Sequence, residues 1–208
     1  MRALANYSTS SLNKIESRTV PTISADFDAL LRDAFQRSVQ LALREALANA
    51  EWKIERTPDS KNINKSEAFV LTVAGVLFRL VLVLHFNFDP ALKQFVQDAV
   101  GQQQDKLDDD KVYDFVAEIS NCFCGGLKRE LQAAVPSLGM STPNRLAHAS
   151  LKYLSMLKLA REGHVLARLG DVPMFGCSFY LSAYGDLNYT KQIASQQSTT
   201  EVGELEMF

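Results

Sequence analysis

Hydrophobic positions along the chain recur with two periods. From Ser24 the order is helical. Phe27, Leu30, Leu31, Ala34, Leu41 and Ala42 share one face, which predicts a helix to about Ala50. Ser24 is a good N-cap, and Asp26 and Asp28 place negative charge where the helix dipole favours it. At Glu51–Arg56 the period becomes two, with Trp52 and Ile54 set between charges, which predicts a strand. A polar loop then runs to Lys65.

Residues 68–88, AFVLTVAGVLFRLVLVLHFNF, are apolar over enough length to raise a membrane span. Arg79 near the middle opposes that reading, since a charge there costs about 2.5–3.5 kcal/mol on insertion scales. Gly75 interrupts the run, and valine and phenylalanine dominate it, so two buried strands joined by a tight turn near Gly75 fit better. Asp89-Pro90 then starts a short helix with Leu92, Phe95, Val96, Ala99 and Val100 on its apolar side, ended by Gly101 and the glutamines. Asp108-Asp109-Asp110 opens a longer helix, from about 110 to 134 and stopped before Pro136. Residues 144–159 suit helix or strand equally, because Leu151, Leu154 and Leu157 are interleaved with Tyr153 and Met156. His164–Leu169 and Phe175–Tyr184 read as strands around a turn at Gly170-Asp171, with Gly185-Asp186 closing the second. Helices and strands alternate without a βαβ rhythm. The expected class is α+β, a mixed and largely antiparallel sheet packed against long helices.

Residues 1–23 carry seven Ser or Thr and no periodic hydrophobicity, and the stretch from Lys191 to the end is equally polar. Polar tails are expected at 1–23 and 191–208, with the packed domain at 24–190. The opening residues lack the continuous apolar core of a signal peptide. The 208 residues hold 22 Lys and Arg against 24 Asp and Glu, a net charge of -2, which removes the electrostatic case for nucleic acid. Three cysteines are too few for a disulfide scaffold, and an odd count fits a reducing, cytoplasmic setting.

The long third helix holds the candidate chemistry. Val112, Phe115, Val116, Ile119 and Phe123 build its apolar side. Asp114, Glu118, Asn121, Gly125 and Lys128 fall on the other side at i, i+4, i+7, i+11 and i+14, one narrow stripe. Glu118 and Asn121 are about one turn apart, so a carboxylate able to hold a cation and an amide able to orient water reach the same space. Gly125 and Gly126 are unusual choices, because glycine inside a helix costs about 0.5–1 kcal/mol relative to alanine. Close approach of another backbone or of a partner is one reason to keep them. Acid, amide and lysine are also what any solvated helix face carries, so spacing alone leaves both readings open.

Other motifs are weaker. Cys122 and Cys124 in a C-x-C within a helix point about 200° apart, poor geometry for a shared metal, and with Cys177 they are expected as small core residues. His85, His148 and His164 fall in no ligand spacing and are expected to be structural or at the surface. No G-x-x-x-x-G-K-[ST] or G-x-S-x-G occurs.

The stretch from Asp114 to Asn121, DFVAEISN, resembles the D/S-x-x-x-E-x-x-N signature of the chemotaxis phosphatases of the CheC, CheX and FliY group, and Gly125 matches their usual extension. The order of elements is similar to CheX over roughly residues 24–185. The resemblance implies hydrolysis of the aspartyl phosphate of a phosphorylated CheY-like response regulator, in chemotaxis or another two-component circuit. Glu118 would pair with the regulator's active-site lysine, and Asn121 would orient a water for in-line attack. Asp114, Gly125 and Lys128 would serve the docking surface. Mg²⁺ would come from the regulator, so this chain would need no cofactor of its own; the charge balance and the strand reading of 68–88 add the expectations of no nucleic-acid partner and no membrane. The resemblance further implies a homodimer. The first helix, FDALLRDAFQRSVQLAL, lacks E-x-x-N, so one site per chain is expected, as in CheX. The alternatives are a non-catalytic response-regulator-binding module and a flagellar-switch or scaffold module of the same fold.

Overall fold

Strand register organises the chain around one sheet with two buried faces. The computed structural model describes residues 20–101 and 107–189. Helix α1 spans Ala25–Ala46, followed by β1 (Trp52–Thr57), a 3-10 turn (Ser60–Asn62), β2 (Glu67–Ala74) and β3 (Phe78–Phe86). Helices α2 (Pro90–Val100) and α3 (Asp109–Gln132) come next. Then follow β4 (Gly139–Met140), β5 (Asn144–Ala147), a 3-10 segment (His148–Met156), β6 (Arg161–Leu169) and β7 (Val172–Ala183). The sheet order is β1-β6-β7-β3-β2-β4, with β5 also on β2, and its ladders are antiparallel. The α+β expectation holds.

The apolar run that raised a membrane span is the β2–β3 hairpin, and no helix among the described residues is long and apolar enough to cross a membrane. β3 pairs with β2 on one side and β7 on the other. Phe78, Leu80, Leu82, Leu84 and Phe86 enter the core under the helices, while Val81 and Val83 face a second apolar cluster on the outer side. Burial on both faces replaces alternation with a continuous apolar run. Arg79, the exposed exception, lies near the turn end of β3, opposite Ala74. The leucines of 144–159 explain the ambiguity there. A short strand leads into the 3-10 segment, and Leu151, Leu154 and Leu157 cover the outer face.

The inner layer is made by α1, α2 and α3. Phe35 of α1 meets Phe123 of α3 and Phe179 of β7 edge-on, with centroids 5.7 and 5.0 Å apart. Each helix start is capped as its sequence indicates. Ser24, Asp89 and Asp108 accept from the backbone N–H groups of Phe27, Leu92 and Lys111, and Gly101 ends α2 with φ +64°. Two expectations change. α1 stops at Ala46, where Leu47 turns extended, and Leu41 is 51% exposed rather than core. Its buried stripe runs instead through Phe35, Ser38, Val39 and Ala42.

Residues 102–106, positions 1–19 of the expected N-terminal tail and the whole of the expected C-terminal tail lie outside the described residues. Positions 20–23 are described. Ile23 forms a parallel bridge with Leu187, and Asp186 accepts from both the backbone and the hydroxyl of Thr22.

Three histidines far apart in sequence gather on the outer face. Ser178 Oγ lies 2.9 Å from both His85 Nε2 and His164 Nδ1, and the His148 ring sits 5.3 Å from that of His85. Burial, reinforced by the charges of His148 and His164, pushes the His85 pKa down to about 3. Burial lowers His148 and His164 as well. Unfolded histidine titrates near 6.5, so below that pH the unfolded chain takes up a proton that folded His85 refuses. Stability is therefore expected to fall as pH drops from about 6.5 toward 3, by up to about 1.4 kcal/mol per pH unit from His85 alone. Urea midpoints measured from pH 7.5 to 4.5 check this, and a flat profile would contradict it.

Candidate functional site

The site is built from α3 and the helix beside it. The pairs that link α1 to α3 run in opposite directions. Arg37 meets Glu130, Ser38 faces Gly126, and Glu45 acts on the Cys122 thiol. The two helices are therefore antiparallel, and α3 keeps its other side free of the core.

On that side the sequence-predicted residues fall as their spacing requires. Asp114 and Glu118 are exposed, and Asn121, Gly125 and Lys128 are partly so. From Asp114 to Lys128 the stripe covers about 21 Å of helix axis. Two of the five are joined directly. Asn121 Nδ2 donates to Glu118 Oε2 at 3.2 Å, the sense an ionised carboxylate requires because it only accepts. The amide carbonyl is left as an acceptor for something else. Asp114, Gly125 and Lys128 take no part in that bond and extend the surface above and below it.

The two glycines have different surroundings. A Cβ on Gly126 would stand 3.4 Å from Cβ and Oγ of Ser38, so this glycine sets how closely α1 approaches. A Cβ on Gly125 would meet nothing within 4 Å. Among the described residues, therefore, the helix carries the conformational cost of Gly125 with no return from packing. Gly125→Ala is expected to stabilise the protein by about 0.5–1 kcal/mol, and Gly126→Ala to gain less because Ser38 must yield. Thermal midpoints of the two variants test the difference.

Cys124 and Cys177 are buried, as expected of core cysteines, but Cys122 is a correction. It is partly exposed, and its Sγ lies 3.8 Å from Glu118 Oε1 at the edge of the stripe. Burial, then the charges of Glu118 and Glu45, raises its pKa, so it stays a thiol at neutral pH. Glu45 is the neighbour that sequence reasoning missed. Nothing local in α1 marks it, since only the antiparallel packing of α1 on α3 brings it to the stripe. Among the described residues, no group of three or more His, Cys, Asp and Glu side chains could hold a metal ion.

Such an arrangement can bind a cation through Glu118 and orient a water through Asn121. Both groups sit where a second molecule can reach them.

No family model matches the chain, and no curated protein matches it. Solved structures match in fold. The chemotaxis protein CheX from Vibrio vulnificus is 17% identical, with 73% of this chain and 99% of that chain covered and a TM-score of 0.56. A chemotactic CheC-like protein from Shewanella oneidensis MR-1 gives 17% identity, coverage of 74% and 99%, and a TM-score of 0.56. A chain of the CheX–CheY–BeF3–Mg²⁺ complex from Borrelia burgdorferi gives 17% identity, coverage of 73% and 97%, and a TM-score of 0.54. The chain thus has the CheC/CheX-like fold, with its α+β architecture spanning nearly the whole of those proteins.

Proposed function

We propose that this chain of CheC/CheX-like fold hydrolyses the aspartyl phosphate of a CheY-like response regulator by docking the exposed side of α3 into the regulator's active site. One observation carries the reading: Glu118 and Asn121 are hydrogen-bonded to each other on the solvent side of α3. They are the acid and amide of the E-x-x-N signature, and neither is consumed by the fold. A solved CheX–CheY complex among proteins of this fold adds support.

In this reading Glu118 exchanges its bond with Asn121 for one with the regulator's lysine, which anchors the helix. Asn121, released, points its carbonyl at a water and holds it in line with phosphorus. Phosphoryl transfer leaves a protein little covalent chemistry, so orienting that water is the catalytic act. Mg²⁺ belongs to the regulator, and this chain supplies no cofactor. Asp114 and Lys128 flank the docked region, and Gly125 leaves room for the partner's backbone. The setting is chemotaxis or another two-component circuit in the cytoplasm, and the assembled form is a homodimer.

The test is the decay of phosphorylated CheY-like receivers with and without the chain. Faster decay supports the reading. A receiver that binds the chain when activated with beryllofluoride, yet loses phosphate no faster, overturns the enzyme and leaves a non-catalytic binding or scaffold module.

A further inference from the structure

The outer face of the sheet holds polar groups that α3 chemistry does not use. Glu162 Oε2 stands 3.8 Å from His164 Nε2, and a carboxylate there favours the tautomer with the proton on Nε2. His164 Nδ1 then accepts from the Ser178 hydroxyl, 2.9 Å away. Ser178 in turn accepts from His85 Nε2, also at 2.9 Å. The relay ends with His85 Nδ1 as a bare lone pair. That nitrogen is buried without a partner among the described residues, and His85 is only 1% exposed.

His85 lines a cleft of about 610 Å³ between the sheet and the 3-10 segment. Such a volume lies within the range of small-molecule sites, about 300–1,000 Å³. Leu151 and Leu154 form an apolar wall, and the Tyr180 side chain lies beside them. Lys61 and Lys152, both exposed, are its cations. Glu162, the one acid lining it among the described residues, is turned to His164, and Asp59 stands 3.8 Å from Lys61 Nζ, a surface pair that a bound carboxylate would compete with. An apolar wall, a buried acceptor at one end and two cations together define a ligand chemistry.

We propose that this cleft binds a small organic acid whose apolar body carries a hydrogen-bond donor, the donor meeting His85 Nδ1 and the carboxylate meeting Lys61 and Lys152. The partly exposed His148 ring, 5.3 Å from that of His85, lines the same cleft. The site is independent of α3 and of its activity.

The test titrates the full chain with 4-hydroxybenzoate and with benzoate, by calorimetry and by NMR of the imidazole nitrogens. Benzoate leaves the buried acceptor unpaired, so 4-hydroxybenzoate is expected to bind at least about tenfold more tightly and to shift the His85 Nδ1 resonance. Lys152→Ala, on the exposed segment, should weaken binding several-fold with an unchanged thermal midpoint. Leu154→Trp should fill the cleft and remove binding. Absence of saturable binding, equal affinity for the two acids, or undiminished affinity in both variants overturns the proposal. Saturable Zn²⁺ binding that moves the His85 and His148 resonances, without binding of either acid, overturns it in favour of a metal.

Discussion

Asn121→Ala is expected to lower the rate constant for receiver dephosphorylation by about 10²–10³-fold, the range seen when one positioned polar group is removed from a transition state. Its affinity for a beryllofluoride-activated receiver should change little. The prediction follows from geometry: Asn121 is partly exposed, and its side chain bonds to Glu118 rather than to the core. Loss of the amide therefore leaves α3 folded. Glu118→Ala should do the reverse. It removes the anchoring charge, and truncating one partner of a charge pair buried on docking costs about 2–5 kcal/mol of binding. Glu118→Gln separates shape from charge, because it keeps a partner for the Asn121 amide and loses the attraction to lysine. Stopped-flow decay together with titration of the activated receiver measures both quantities. Equal losses of affinity and turnover in Asn121→Ala and Glu118→Ala would contradict divided roles.

Phe35→Ala should give the largest loss of stability. The ring is 3% exposed and bridges α1, α3 and β7 through two edge-on contacts. Truncating a buried phenylalanine costs about 3–5 kcal/mol in transfer and cavity terms. For a domain of this size that is a fall of about 10 °C in thermal midpoint. Phe35→Leu keeps most of the volume and should cost much less. Because Phe123 lies two positions after Asn121, the alanine variant should also lower turnover in proportion to the seating of α3. Urea unfolding of the two variants decides the point, and a loss below about 1 kcal/mol for Phe35→Ala would mean that the core closes over the gap.

Features legible in the sequence were those decided by neighbours in the chain. Ser24, Asp89 and Asp108 cap helices through N–H groups three positions on, so each start could be read locally. The stripe from Asp114 to Lys128 is likewise a property of one helix. Less legible features depend on what packs against what. Ser38 takes a buried slot facing Gly126, and the buried stripe of α1 passes through it while Leu41 falls outside. β4 and β5 have two and four residues, too few to display a period. The histidine row depends on the register of β3, β7 and β6. That register includes an irregularity between Ala167 and Arg168, and a one-residue slip would send every later side chain to the other face. Cys122 looked like core because its identity is apolar, whereas its position in α3 places it at the edge beside Glu118.

The hydrogen bonds between Thr22 and Asp186, and between Ser24 and Tyr189, bring the first and last described residues to one spot. A fold whose entry and exit lie side by side is nearly a closed ring, so its topology does not depend on where the ring is cut. A short linker across that spot would allow new ends at Val76, the 91% exposed tip of the β2–β3 turn, without parting any pair of neighbouring strands. Circular permutation of the described residues could thus open the fold at Val76 and leave α3 in place.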